Sequence, residues 1–110
     1  MFGGSQEVNS TTETASHTLD LTNKSSLIYI NVASANVVTV PLNATEAFKV
    51  GTVIGVNQKG AGVTTITGAT GVTINGVSAG SGAIANQYDT AVLIYEGSDA
   101  WTLNGTDTVA

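Results

Sequence analysis

The stretch from Phe48 to Asn75 constrains the fold of this chain most strongly, because short β-branched runs alternate there with glycines. Valine, isoleucine and threonine dominate residues 52–56, 63–67 and 72–75. β-Branched side chains are restricted at χ1 and pack well on a pleated surface, so such runs favour strands. The glycines between the runs permit the backbone conformations of tight turns. The stretch therefore predicts a scaffold of short strands.

The rest of the chain also predicts short strands. Residues 18–22 alternate apolar and polar side chains with a period of two, and residues 27–32 are apolar enough for a central strand. Further strands are predicted at residues 37–40, 83–87, 91–95 and 100–103. No segment carries a sustained helical period. This pattern predicts an all-β domain over residues 17–110, a small antiparallel β-sandwich or jelly-roll-like barrel.

Residues 1–16 are polar and show no apolar period. We expect a polar, flexible N-terminal arm that either frays or orders against a neighbouring subunit. Phe2 is an isolated aromatic residue in this arm and a candidate for contact with a partner. The segment lacks a charged region followed by an apolar one, and no run reaches the ~18 apolar residues of a membrane span. We therefore expect synthesis in a cytoplasm and no membrane partner.

The charge content is unusual, since charged residues make up only 10% of the chain against about 25% in typical soluble domains. The surface must then consist largely of uncharged polar side chains, which suits a subunit of a larger assembly and also suits extracellular β proteins. The net charge is −5, and the chain has three lysines and no arginine. Phosphate backbones would repel such a chain, so we expect no nucleic-acid partner.

His17 is the only histidine, with Glu13 four residues before it and Asp20 three residues after it. A histidine between carboxylates could serve as a metal ligand or general base. One histidine with scattered carboxylates is nevertheless not a catalytic or metal-binding constellation, and no cysteine is present. We therefore predict a surface histidine that can contact a partner, and expect neither enzymatic activity nor a metal or cofactor.

Two further local patterns are predicted to be turns. Asp99 lies near Glu96 and Asn104, but the spacing of an EF-hand calcium loop is absent. The Gly60-Ala61-Gly62 segment resembles part of a dinucleotide fingerprint. A β-branched run follows it where that fingerprint needs a helix, so we predict a hairpin turn.

The aromatic residues Tyr29, Tyr88, Tyr95 and Trp101 have two interpretations. Exposed together, they would form a platform for stacking against sugars. Three of the four lie inside predicted strands, where packing in the core is the alternative. Tyr88 and Trp101 remain candidates for contact with a partner.

Six motifs occur in a fixed order along the chain. They are Val37-Val38-Thr39-Val40-Pro41; Phe48-x-Val50-Gly51-Thr52-x-Ile54; Gly60-x-Gly62; Gly71-Val72-Thr73-Ile74-Asn75; Ala91-Val92-Leu93-Ile94; and Trp101-x-Leu103-x-Gly105. In this order, and over about Asp20 to Gly105, the chain resembles a small β-sandwich module of tailed-bacteriophage structural proteins such as tail fibres. Lys49 stands where that family has a proline, and Tyr88 stands before the fifth motif where an arginine or tyrosine is common.

The resemblance implies a virion component without catalytic residues or cofactors. Because the module fills nearly the whole chain, we expect a capsid decoration (cement) protein on the outer capsid surface. Its partners would be the major capsid protein and further copies of itself, preferably as a homotrimer, with a dimer as the alternative. A second hypothesis is a tail-fibre or tail-tip module that recognises a host surface glycan.

Overall fold

The computed structural model describes residues 8–110 and contains two β-sheets and no α-helix in that range. The strands are β1 (Asn9–Glu13), β2 (His17–Thr18), β3 (Ser26–Ile30), β4 (Asn36–Val40), β5 (Val53–Gln58), β6 (Thr64–Gly68), β7 (Thr73–Ile74), β8 (Val77–Ser78), β9 (Ser81–Ala83), β10 (Thr90–Gly97) and β11 (Ala100–Asn104). One 3₁₀ helix spans Leu21–Asn23. The predicted all-β fold is confirmed.

The first six strands alternate between the two sheets, so the chain forms a short superhelix. We call one turn of it, made of one strand from each sheet, a coil. The seven-stranded sheet has the order β1-β3-β5-β10-β11-β7-β8, and the four-stranded sheet has the order β2-β4-β6-β9. Up to β6, odd-numbered strands enter the first sheet and even-numbered strands enter the second. Each strand therefore returns to its own sheet in the same direction, and β1, β3 and β5 pair in parallel, as do β2, β4 and β6.

The expectation of a uniformly antiparallel sandwich is therefore wrong. Five of the nine strand pairings are parallel and four are antiparallel. Parallel neighbours need a crossover connection, which is usually a helix. Here the crossover is a strand of the opposite sheet, which is why the sequence shows only strand patterns. The predicted C-terminal hairpin is confirmed, since β10 and β11 pair antiparallel with Tyr95 opposite Trp101.

The segments that lead from one sheet to the other, which we call corners, also stack from one coil to the next. The backbone N–H of Gly60 donates to the carbonyl of Ile30 at 3.0 Å, and that of Gly62 donates to the carbonyl of Val32 at 2.9 Å. A Cβ atom at Gly62 would overlap the backbone of Ser34. The predicted hairpin turn at this segment is wrong, because it connects β5 in one sheet to β6 in the other. Glycine is required because two corners of backbone lie in direct contact.

The core lies between the two sheets and takes alternate residues from β3 to β7, β10 and β11, together with residues of the connecting segments. Removal of these apolar side chains from water is the main stabilising contribution to such a domain. The buried apolar residues are Leu19, Ile28, Ile30, Val38, Val40, Phe48, Ile54, Val56, Ile66, Val72, Ile74, Ile84, Ala91, Leu93, Tyr95, Trp101 and Leu103. The indole of Trp101 packs edge-on against Phe48, with ring centroids 5.3 Å apart, and its centroid lies 4.9 Å from that of Tyr95.

The strand predicted at residues 18–22 is replaced by two-residue β2 and the 3₁₀ helix. The Asp20 side chain accepts a hydrogen bond from the backbone N–H of Thr22 at 2.9 Å, and Asn23 Oδ1 accepts one from the backbone N–H of Asp20 at 2.9 Å. Such local bonds between side chain and backbone compete with strand pairing. The alternation in the sequence instead marks Leu19, which is buried in the core.

The predicted arm over residues 1–16 is wrong for residues 9–13, which form β1 at the edge of the seven-stranded sheet. This strand is almost entirely exposed, and its pairing with β3 uses backbone groups alone. A strand without a buried face carries no apolar alternation, so its sequence gave no strand signal. Residues 1–7, including Phe2, lie outside the described residues.

Candidate docking surface

The residues that could carry chemistry do not converge in the part of the chain that the structure describes. Within residues 8–110, no group of three or more histidine, cysteine, aspartate or glutamate side chains could hold a metal ion. The same residues contain no helix long and apolar enough to cross a membrane.

His17, in β2, contacts both the strand before it, β1, and the 3₁₀ helix after it. Its Nε2–H donates to Asn23 Oδ1 at 2.9 Å, and its Nδ1 lies 3.7 Å from Glu13 Oε1. The imidazole thus connects the end of β1 to the 3₁₀ helix. Only 16% of the side chain is exposed, so the predicted surface histidine is partly buried, and its contact with a partner remains a prediction.

The Asp20 carboxylate has a pKa below its ordinary value. The main cause is the hydrogen bond from the Thr22 hydroxyl, and burial partly opposes it, while the Thr22 N–H and the nearby His17 lower the pKa further. A carboxyl group whose pKa is lower in the folded state stabilises the fold at pH values above its unfolded pKa. That contribution is lost as the pH falls through the folded pKa.

We therefore expect the Asp20→Asn variant to melt at a lower temperature than the wild-type protein at neutral pH. The difference should stay constant down to about pH 5 and shrink below about pH 4, near the unfolded pKa of an aspartate. Thermal melts across this range would measure it. Asp89→Asn is the matched control, because that exposed carboxylate accepts only one 3.3 Å bond, from Asn86. A difference between Asp20→Asn and wild type that grew towards acid pH would contradict the assignment.

Of the two interpretations of the aromatic residues, packing in the core is the one that holds for Trp101 and Tyr95. Trp101 is 1% exposed and Tyr95 is 4% exposed, so the candidacy of Trp101 as a partner contact is wrong. Its position opposite Tyr95 on the inner side of the hairpin places it in the core. Tyr88, in contrast, is 69% exposed. Asn57 Nδ2 donates to the Tyr88 carbonyl at 2.9 Å, so its loop is held on β5, and its contact with a partner remains a prediction.

The outer face of the seven-stranded sheet carries an apolar groove of about 410 Å³. Gly55 is one of its lining residues, and a Cβ atom there would lie only 2.9 Å from Leu27 Cδ1. The Leu27 side chain therefore packs over the backbone of β5 at Gly55, where there is no side chain. The residues that line the groove are Val8, Ser25, Ser26, Leu27, Gly51, Val53 and Gly55.

A second groove of about 460 Å³ adjoins the first and shares Ser25 with it. Lys24 and Lys49, two of the three lysines of the chain, lie on its wall. The other lining residues are Leu21, Ala47, Phe48 and Thr52.

Sequence reasoning missed both grooves. The alternation of side chains along a strand could have indicated the first groove. Leu27 and Val53 directly precede the buried Ile28 and Ile54, so their side chains point to the outer face of the sheet.

Comparison with known proteins adds no assignment, since no protein-family model, curated protein or solved structure matches the chain.

Proposed function

We propose that this protein is a viral structural protein, a capsid decoration protein of a tailed bacteriophage. It would bind the outer shell and stabilise contacts between major capsid protein subunits. Self-association as a symmetric homotrimer, or as a dimer, would match the symmetry of such a shell.

The observation that carries this proposal is the position of the six motifs in the fold. The Val37–Pro41 motif covers most of β4, and Gly60-x-Gly62 forms the corner that stacks on the preceding coil. The fifth and sixth motifs lie in β10 and in β11 with the glycine that follows it. The residues that carry the resemblance therefore include ones that build both sheets, and the proposal rests on that resemblance.

The surface composition also supports the proposal. Few ionic charges need to be desolvated when such a surface is covered, and the outer face of the larger sheet already carries apolar side chains. A decoration protein needs only modest affinity at each site, because a symmetric oligomer with several contacts dissociates far more slowly than one contact would.

Tyr88 favours a second candidate function, a tail module that recognises a host glycan. Its side chain is exposed, and Asn57 Nδ2, which donates to the Tyr88 carbonyl, also donates to Thr90 Oγ1 at 2.8 Å. Sugar sites combine an aromatic face with such polar groups. A single exposed ring is less than a platform of several aromatic side chains, so this candidate ranks second.

The copy number of the chain relative to the major capsid protein separates the two functions. We expect a ratio between about one-third and one in purified particles, because a decoration protein occupies symmetry-related sites over the whole shell. Quantitative mass spectrometry of the particles would measure it. A ratio of a few per cent or less would overturn the decoration proposal and favour the tail module.

A further inference from the structure

The two grooves share Ser25 on their walls, and we call them together the lysine-flanked groove. Val8, Leu27 and Val53 mark its apolar part, and Lys24 and Lys49 mark its basic part. The apolar part crosses the beginnings of β1, β3 and β5 on the outside of the sheet.

Exposed apolar side chains are concentrated at this surface. Of the seven large apolar residues that are substantially exposed in the described chain, three line the groove, Val8, Leu21 and Val53, and a fourth, Val50, lies in the chain between the lining residues Lys49 and Gly51. Val50, at 72%, is the most exposed of the seven. A contiguous apolar patch with a polar rim is typical of an interaction site rather than of surface left to water.

The charge at this surface opposes that of the whole protein. The chain carries a net charge of −5, yet two of its three lysines flank this groove. Within residues 8–110 the only ion pair with atoms closer than 4 Å is that of His17 with Glu13. The nearby Glu46 carboxylate instead accepts the backbone N–H of Leu21 at 2.8 Å. Both ammonium groups can therefore pair with carboxylates of a partner, beside apolar surface that strengthens the attraction.

The dimensions indicate an extended partner segment. Three neighbouring strands span about 10 Å across a sheet, which three or four residues of extended chain would cover. Alternate side chains of an extended segment point to the same face. Apolar side chains on the face towards the protein would fill the apolar part, and carboxylates further along the segment would reach the two lysines.

We infer that the lysine-flanked groove binds an extended peptide segment of a partner protein that combines apolar side chains with carboxylates. Identification of that partner as the shell protein rests on the proposed function, whereas the chemistry of the groove does not. The test therefore uses peptides and no virus particles, so that its failure is distinct from failure of the decoration proposal.

The probe is a fluorescein-labelled peptide of about ten residues, with leucine and glutamate interspersed among serine and glycine. A second peptide carries lysine in place of each glutamate. We expect saturable binding of the glutamate peptide by fluorescence anisotropy, weakened at least about threefold when salt rises from about 20 mM to about 200 mM. The lysine peptide should bind at least about tenfold more weakly.

Three charge-reversal variants locate the site. Lys24→Glu and Lys49→Glu should each weaken binding of the glutamate peptide at least about fivefold. Lys59→Glu makes the same change of charge at the remaining lysine, which lies over the Tyr29 ring, and should alter binding less than about twofold. The surface variant Val53→Ser tests the apolar part, and far-UV circular dichroism would verify that each variant is folded.

Several outcomes would overturn the inference. Equal binding of both peptides, equal effects of all three lysine variants, or no saturable binding would each do so. Lys24-dependent and Lys49-dependent self-association in sedimentation velocity, without peptide binding, would assign the groove to a second copy. A peptide of residues 1–7 that bound as tightly as the glutamate peptide would assign it to the chain's own amino terminus.

Discussion

The Gly62→Ala variant is expected to lose about 3 kcal/mol or more of its free energy of unfolding. The added Cβ atom would overlap the Ser34 backbone, because the corner after β5 stacks directly on the corner after β3. A flexible side chain could move aside, but here both surfaces are backbone, and separation would break the bond from Gly62 N–H to Val32. The melting temperature should fall by more than about 10 °C.

Gly51→Ala is the matched control for that variant. Gly51 has a φ of +88°, and a Cβ atom there would meet nothing within 4 Å. The control therefore measures the cost of placing alanine at a left-handed position, about 1 kcal/mol, without any overlap. Chemical denaturation of both variants would give the comparison. If Gly62→Ala lost no more stability than Gly51→Ala, the described stacking of the corners would be wrong.

The Trp101→Ala variant is expected to lose about 3–5 kcal/mol of its free energy of unfolding. The indole is 1% exposed and touches both Phe48 and Tyr95, so its removal leaves a large cavity between the sheets. Trp101 is also the only tryptophan, so far-UV circular dichroism must follow the unfolding of this variant.

Thr102→Ala is the control for Trp101→Ala, because the adjacent residue in β11 lies on the outer face and is partly exposed. Its stability should change by less than about 1 kcal/mol. Equal melting temperatures for the wild-type protein and Trp101→Ala would show that the indole does not lie in the core. Such a result would restore Trp101 as a candidate for contact with a partner.

The sequence predicted β3 to β7, β10 and β11 but not their direction. Residues 91–95 are apolar throughout, Trp101 and Leu103 alternate with polar or small residues, and the Glu96–Asp99 segment between the two runs has a turn composition, so the hairpin could be predicted. Residues 27–32 and 52–56 gave equally clear strand signals, yet their parallel pairing could not be read from them. The period of two is the same in parallel and antiparallel strands, and the crossover through the second sheet resembles any other strand.

The candidate site was less predictable than the fold. Local patterns do not reveal that Lys24 and Lys49 approach the same groove, because the contact depends on how β3 and β5 are aligned. For Trp101 the sequence left two alternatives, and only the register of the hairpin decides between them. β1 was missed because it has no buried face.

The winding of the chain between two sheets also determines how the domain can assemble from the unfolded state. Each parallel pair joins residues from successive coils, so a whole coil must close before the first bond of that pair can form. Closure of long loops before any gain in contacts makes folding slow compared with that of helical domains of similar size. β1 and β2 pair only with β3 and β4, so we expect their backbone amides to be the last to gain protection during folding and the first to lose it.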